Sequence, residues 1–220
     1  KIVMNIKIDT SKPVLVTGAT GFVGGWVVKG LIEKGVTVHA PIRDRDNKEK
    51  IKPLSDISDK GPGNIVFFEA NLLDPNSYDE AMNNCGIVFH IASPFLYNFN
   101  DAYKDFIEPA VQGTQNVLDS VNRTQTVKKV ILTSSCTAIF GDHIDINSVP
   151  DKILTEDIWN ETSNEKHQPY SYSKVLAEKL AWEMEKKQNH WKLAVINPAL
   201  VIGPSISGKS TSASHDFIKQ

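Results

Sequence analysis

The apolar run Val14-Leu15-Val16-Thr17 leads into Gly18-Ala19-Thr20-Gly21-Phe22-Val23-Gly24-Gly25-Trp26, with glycines spaced Gly-x-x-Gly-x-x-Gly between a strand-like and a helical segment. Few folds accommodate that pattern. A glycine directly after a buried strand permits a tight turn, a second lets backbone approach a bound group, and a third allows the following helix to pack closely on the strand. The first N–H groups of such a helix have no intrahelical acceptor and lie at the positive end of its dipole. Gly18, Gly21, Phe22, Val23 and Gly24 are therefore a candidate pyrophosphate cradle. A glycine turn of this kind can also serve packing alone, so the reading needs support from elsewhere in the chain.

That support begins with the pattern of elements. Strand-like runs at 14–17, 37–42, 65–69, 87–92, 129–133 and 193–197 alternate with helical stretches near 22–34, 78–83, 102–121 and 173–187. Such alternation predicts an α/β fold, a doubly wound parallel sheet of the Rossmann type with helices on both faces. Gly35 suits the residue after the first helix, and Gly61-Pro62-Gly63 marks a loop before the third strand. Ligands of doubly wound sheets bind outside the carboxyl ends of the strands. The residues at those ends are the glycine run, Arg43, Asn71-Leu72, Ala92, Ser135 and Pro198.

At 220 residues, with 40% apolar and 23% charged side chains, the chain has the length and composition of one globular α/β domain. A net charge of −2 offers no basic stripe to replace phosphate counterions, which argues against a nucleic-acid partner. The lysines between Lys48 and Lys52 read as a solvated face. Cys85 and Cys136 follow no metal-ligand spacing and lack the density of a secreted scaffold, which points to a reduced, cytoplasmic compartment and to small thiols in the core. His39, His90, His143, His167, His190 and His215 show no metal spacing either, and His90, inside an apolar strand, reads as a satisfied core residue. No run approaches the length of a membrane span. Residues 1–12 read as a leader, 13–204 as the nucleotide-binding domain, and 205–220 as the start of a substrate-binding region that this chain is expected to lack for the most part.

A second constellation lies downstream. Tyr170 and Lys174 stand four residues apart ahead of Val175-Leu176-Ala177-Glu178-Lys179-Leu180-Ala181-Trp182, a segment of helical periodicity that would stack them on one face. Tyr172 does not have that spacing. Lys129-Val130-Ile131-Leu132-Thr133 ends in Ser134-Ser135, which would deliver a hydroxyl to the same sheet edge. Alternation along a strand puts the two serines on opposite faces, so one of them serves.

The glycine run, the Thr-Ser-Ser strand end and the Tyr-x-x-x-Lys helix occur in the order seen in extended short-chain dehydrogenase/reductases, which the chain resembles. The phrases Val88-Phe89-His90-Ile91-Ala92-Ser93-Pro94, Ser173-Lys174-Val175-Leu176-Ala177-Glu178-Lys179 and Ile196-Asn197-Pro198-Ala199-Leu200-Val201-Ile202-Gly203-Pro204 are most similar to dihydroflavonol reductase-like enzymes. The resemblance implies NADP-dependent reduction of an aldehyde or ketone to an alcohol. Tyr170 would be the proton donor, Lys174 would bond the nicotinamide ribose, and Ser135 would bond the substrate oxygen. Pro198 would present backbone to the carboxamide. Arg43 would stack on adenine and clamp the 2′-phosphate with help from Lys50, although Asp44 keeps NAD open. Asn71 stands where many relatives place an Asp beside Leu72, and Ala110 stands where many place an Asn. A free phenol has a pKa near ~10, and the Lys174 ammonium is expected to lower that of Tyr170.

Three rival readings share parts of this pattern. Gly203-Pro204-Ser205-Ile206-Ser207-Gly208-Lys209-Ser210 fits a phosphate-loop motif, but few residues follow in which to build a triphosphatase. A nucleotide-sugar epimerase or dehydratase uses the same core, and so does a regulator that binds NADP without turnover. No metal is expected. The partner implied is a small carbonyl compound, its identity depending on loops 95–101 and 143–168.

Overall fold

The computed structural model describes residues 9–93 and 99–208. The chain forms strands β1 (Val14–Thr17), β2 (Thr37–Ile42), β3 (Asn64–Glu69), β4 (Ile87–His90), β5 (Lys129–Thr133) and β6 (Lys192–Ile196). Its helices are α1 (Phe22–Ile32), α2 (Lys48–Ser58), the short α3 (Asp79–Met82), α4 (Glu108–Arg123) and α5 (Pro169–Lys186). The strands make one sheet in the order β3-β2-β1-β4-β5-β6. Every pairing is parallel, so all six strands end on the same edge. This is the doubly wound arrangement, with the order reversing between β1 and β4.

Alternation in β1 divides the core between the two faces of the sheet. Val14 and Val16 pack with Val28, Leu31, Ile32, Val38 and Leu54 beneath α1 and α2. Leu15 packs with Met82, Val117, Leu118, Val130, Met184 and Trp191 beneath α3, α4 and α5. Helices thus cover both faces, as the alternating pattern predicts. Trp191, the largest fully buried side chain, ties the two halves of its face by donating from Nε1 to Asn122 Oδ1 at 2.8 Å.

Local chemistry sets several element ends. Gly35, at φ +77°, closes α1 by donating its N–H to Ile32 O. Asn47 caps α2, its side chain accepting from Lys50 N. α2 turns Leu54 and Ile57 to the core, three residues apart, while Lys48, Lys50 and Lys52 are exposed, as the solvated-face reading expects, and Pro53 lies within the helix. β4 stops at His90, short of 92, because the N–H groups of Ile91 and Ala92 turn to the Thr17 hydroxyl instead of a strand partner, each at 3.0 Å. A π-helical turn at Tyr103–Ile107 precedes α4. Among the described residues no helix is long and apolar enough to cross a membrane, and no cluster of potential metal ligands occurs.

Candidate active site

The glycine turn sits at the carboxyl end of β1, where Gly18 and Gly24 have no space for a side chain and Gly21 has little. Gly18 has φ +69°, and a Cβ there would stand 2.9 Å from Ala92 N at the end of β4. A Cβ on Gly24 would fall on the Gly18 carbonyl oxygen, and one on Gly21 would come within 3.1 Å of the same oxygen. Gly21 N donates to Gly18 O at 2.9 Å, which closes the turn before α1 begins with Phe22, Val23 and Gly24. No side chain caps α1. The backbone is thereby brought close to the sheet edge with donors aimed outward, which suits an anionic group.

Beneath this turn is a polar clamp. Thr17 Oγ1 accepts from two backbone N–H groups and lies 2.8 Å from His90 Nδ1, so its own proton goes to that nitrogen. His90 Nε2 then carries the ring proton and points toward Thr114 Oγ1 at 3.4 Å. The imidazole is fully buried, and burial first, with the nearby Lys174 second, pushes its pKa down to about 3. His90 is thus a neutral, hydrogen-bonded core group, as its place in an apolar strand suggests.

The Tyr-x-x-x-Lys pair lies on α5, which begins at Pro169, four residues before the start suggested by apolar periodicity. Gln168 precedes it in the left-handed region at φ 54°, held by Asp142, whose two carboxylate oxygens engage Gln168 Nε2 at 2.7 Å and His167 Nε2 at 2.8 Å. Tyr170 and Lys174 are one turn apart on a rigid helix, with the lysine Nζ 5.7 Å from the phenol ring centroid. Tyr170 also hydrogen-bonds the Ser135 side chain. Phe106 meets the Tyr170 ring edge-on at 6.1 Å and helps bury it.

The direction of the Tyr170 pKa differs from the sequence expectation. Burial pushes it up to about 12, the hydrogen bond from Ser135 opposing this and Cys136 adding to it. Lys174 is buried as well, and burial draws its own pKa down to about 8. Desolvation dominates at both side chains, an effect of burial that spacing along a helix does not reveal.

Ser135 and Ser134 face different groups. Ser135 Oγ accepts from Thr137 N and meets both Thr137 Oγ1 and Tyr170. Ser134 turns to the other side, into a small void lined by Lys174, His90 and Glu178. The two serines thus address different members of the tyrosine–lysine pair.

The remaining sequence candidates line the same edge. Arg43 is exposed at the tip of β2, where its charge acts on the buried Tyr78 phenol, and Lys50 is exposed on α2. Asn71 Oδ1 accepts from Leu73 N at 3.3 Å, and Leu72 O accepts from Asn116 Nδ2 at 2.7 Å, which fixes the loop after β3 against α4. Pro198 O accepts from Cys136 N at 3.0 Å, drawing the end of β6 to that of β5. Cys136 is half-buried instead of sealed in the core, whereas Cys85 is fully buried. Ala110 lines the Lys174 void. Residues 201–208 form turns, with Pro204 O accepting from Trp26 Nε1 at 2.9 Å. Pro94, Lys209, Ser210, His215 and most of loop 95–101 lie outside the described residues. Sequence reasoning missed Phe106 and gave no role to Thr17, Glu178 or Asn197. Of these, only Glu178 left a sequence signal, being four residues beyond Lys174.

Residues 14–220 match the family described as NAD dependent epimerase/dehydratase. The chain belongs to that family. Among epimerase/dehydratase family relatives, a dihydroflavonol 4-reductase of Gerbera hybrida is 34% identical over 204 residues, covering 90% of this chain and 54% of the relative. A cinnamoyl-CoA reductase, CAD2 of Medicago truncatula, is 36% identical, covering 87% of this chain and 58% of the relative. The crystal structure of Gre2 from Candida albicans in complex with NADPH superimposes with a TM-score of 0.76 at 32% identity, covering 88% of this chain and 59% of that one. This family member therefore spans little more than half the length of the proteins it matches.

Proposed function

We propose that the chain is the cofactor-binding and proton-donating part of an NADPH-dependent reductase that converts an aldehyde or ketone to an alcohol. The reading rests on one observation above all: the Tyr170 hydroxyl is hydrogen-bonded to Ser135 and flanked by Lys174, on the sheet edge that carries the glycine turn. Reductase names among the relatives, and a solved neighbour holding NADPH, support it.

The residues fit a dinucleotide. Gly18 and Gly24 leave no room for a Cβ and Gly21 little, the first turn of α1 offers donors to a pyrophosphate, and Arg43 stands exposed where a 2′-phosphate would need a cation. Lys50 lies in the next helix, and Asn71, Leu72, Ala92 and Pro198 would complete the dinucleotide site along the same sheet edge. When bound, the reduced cofactor supplies a hydride.

The chain's own contribution is proton control. Tyr170, with its pKa raised to about 12, keeps its proton at neutral pH and gives it up to an alkoxide, a far stronger base than a phenolate. Ser135 gives its one hydroxyl proton to the Tyr170 oxygen in the free site and would turn it to the developing oxyanion when a carbonyl is bound. Lys174 offers an ammonium to a ribose and favours the phenolate left after transfer. Both cysteines are free, in agreement with a reducing compartment such as the cytoplasm.

The test combines fluorescence titration with NADPH and NADH and an aldehyde and ketone panel, followed by absorbance. Tyr170→Phe should abolish stoichiometric NADPH oxidation, a loss of at least about 100-fold, with NADPH affinity nearly intact. Retained turnover in that variant removes Tyr170 as the acid. Product formation with unchanged cofactor would favour an epimerase instead.

A further inference from the structure

Tyr170, Lys174 and Glu178 recur every four residues along α5 and share one face of the helix. Glu178 has no part in the chemistry described above, yet it is 7% exposed and well tied. Its Oε2 accepts from Asn197 Nδ2 at 2.9 Å, and its Oε1 from Trp182 Nε1 at 3.4 Å. The same Asn197 nitrogen donates to the backbone oxygen of Ser135 at 3.1 Å. One amide thus joins a carboxylate on α5 to the residue that bonds Tyr170. Two neutral donors leave a buried carboxylate undercompensated, and among the described residues no cationic nitrogen lies within 4.0 Å of it.

The compensating charge is one turn away. Between Lys174 and Glu178 lies a void of about 10 Å³, bordered also by His90, Thr114, Ala110 and Ser134, with room for one water. Ser134 Oγ is buried and has no hydrogen-bond partner among the described residues. The titratable groups around Lys174 are His90 from β4 and Tyr170 and Glu178 from its own helix, with Cys136, just after β5, acting on Tyr170. α4 presents only Ala110 and Thr114. His90 is neutral and Tyr170 keeps its proton, so Glu178 supplies the negative charge.

We propose that Glu178 is the positioning residue for Lys174, its carboxylate acting across a one-water gap closed by Ser134 to keep the buried amine an ammonium. A water in the gap accepts from the ammonium, donates to the carboxylate and meets the Ser134 hydroxyl, so three buried groups are satisfied together. Burial lowers the Lys174 pKa to about 8 and Glu178 opposes that fall, which puts the amine near the edge of its charged range at neutral pH. The catalytic meaning of this arrangement rests on the reductase reading. The charge relation between the two side chains does not.

The experiment is a pH titration of the lysine side chains by NMR on the whole chain carrying ¹³C,¹⁵N-lysine, with Lys174 assigned by its loss in Lys174→Gln. The expected midpoint is about 8. Glu178→Gln keeps an acceptor for Asn197 and removes only the charge, and should lower the midpoint by about one pH unit. Glu178→Asp, which retains the charge at greater distance, should fall between wild type and the Gln variant, and it serves as the test if the Gln variant fails to fold. Asn197→Leu breaks the tie to Ser135 but keeps the charge, and should leave the midpoint close to that of wild type. An unchanged or raised midpoint in Glu178→Gln overturns the proposal, as does a fall in Asn197→Leu equal to that in Glu178→Gln. None of these outcomes depends on turnover, so a failure of the reductase reading would appear separately, in the carbonyl panel.

Discussion

The buried imidazole of His90 makes stability depend on pH in a window where few other groups contribute. In the unfolded chain it takes up a proton as pH falls through its ordinary value of 6.5, while in the folded chain burial delays this to about 3. Between those values the unfolded state binds more protons, so the free energy of unfolding falls as pH falls, and above 6.5 the group contributes no slope. The slope approaches about 1.4 kcal/mol per pH unit, which accumulates to about 3 kcal/mol by pH 4.5. That is a large share of the roughly 5–15 kcal/mol of a typical domain. Asp79 and Asp145, whose pKa values lie below 3.8 in the fold, add acid sensitivity only at lower pH. Urea unfolding at intervals from pH 7.5 to 4.5 measures the slope. His90→Asn keeps an acceptor near the Nδ1 position for the Thr17 hydroxyl and cannot take up the proton, so its stability should be nearly flat across the window. A variant that loses stability as steeply as wild type would refute the reasoning.

Two further outcomes test the cradle. Gly24→Ala should cost about 2–4 kcal/mol in chemical denaturation, because the methyl meets the Gly18 carbonyl, whereas Gly30→Ala, with nothing within 4 Å, should be neutral or gain up to about 1 kcal/mol. Arg43→Ser should weaken NADPH binding about tenfold or more and leave NADH affinity nearly unchanged in fluorescence titration.

What the sequence revealed and what it hid follow from the range of the forces involved. The six strands and the glycine turn are legible because alternation and the lack of a Cβ are local properties. The start of α5 is harder to read, since Pro169 and the held Gln168 define it and no apolar periodicity does. α2 is legible only as the helical segment that carries Lys50, without bounds, because it is largely exposed and buries a single residue, Leu54. The direction of the Tyr170 pKa depends on burial by Phe106 and neighbouring elements, a tertiary property. The link from Glu178 through Asn197 to Ser135 joins residues 62 apart in the chain, and no spacing rule anticipates it.

Because all six strands run the same way, the opposite rim of the sheet collects the returns from the helices, including Gln125 and Lys128 after α4 and Gln188 after α5. A strand's length separates that rim from the glycine turn and from Tyr170. Dyes, affinity handles or surface tethers placed at the exposed Gln125 would therefore leave ligand access open, making this rim the natural place to immobilise the molecule for binding studies.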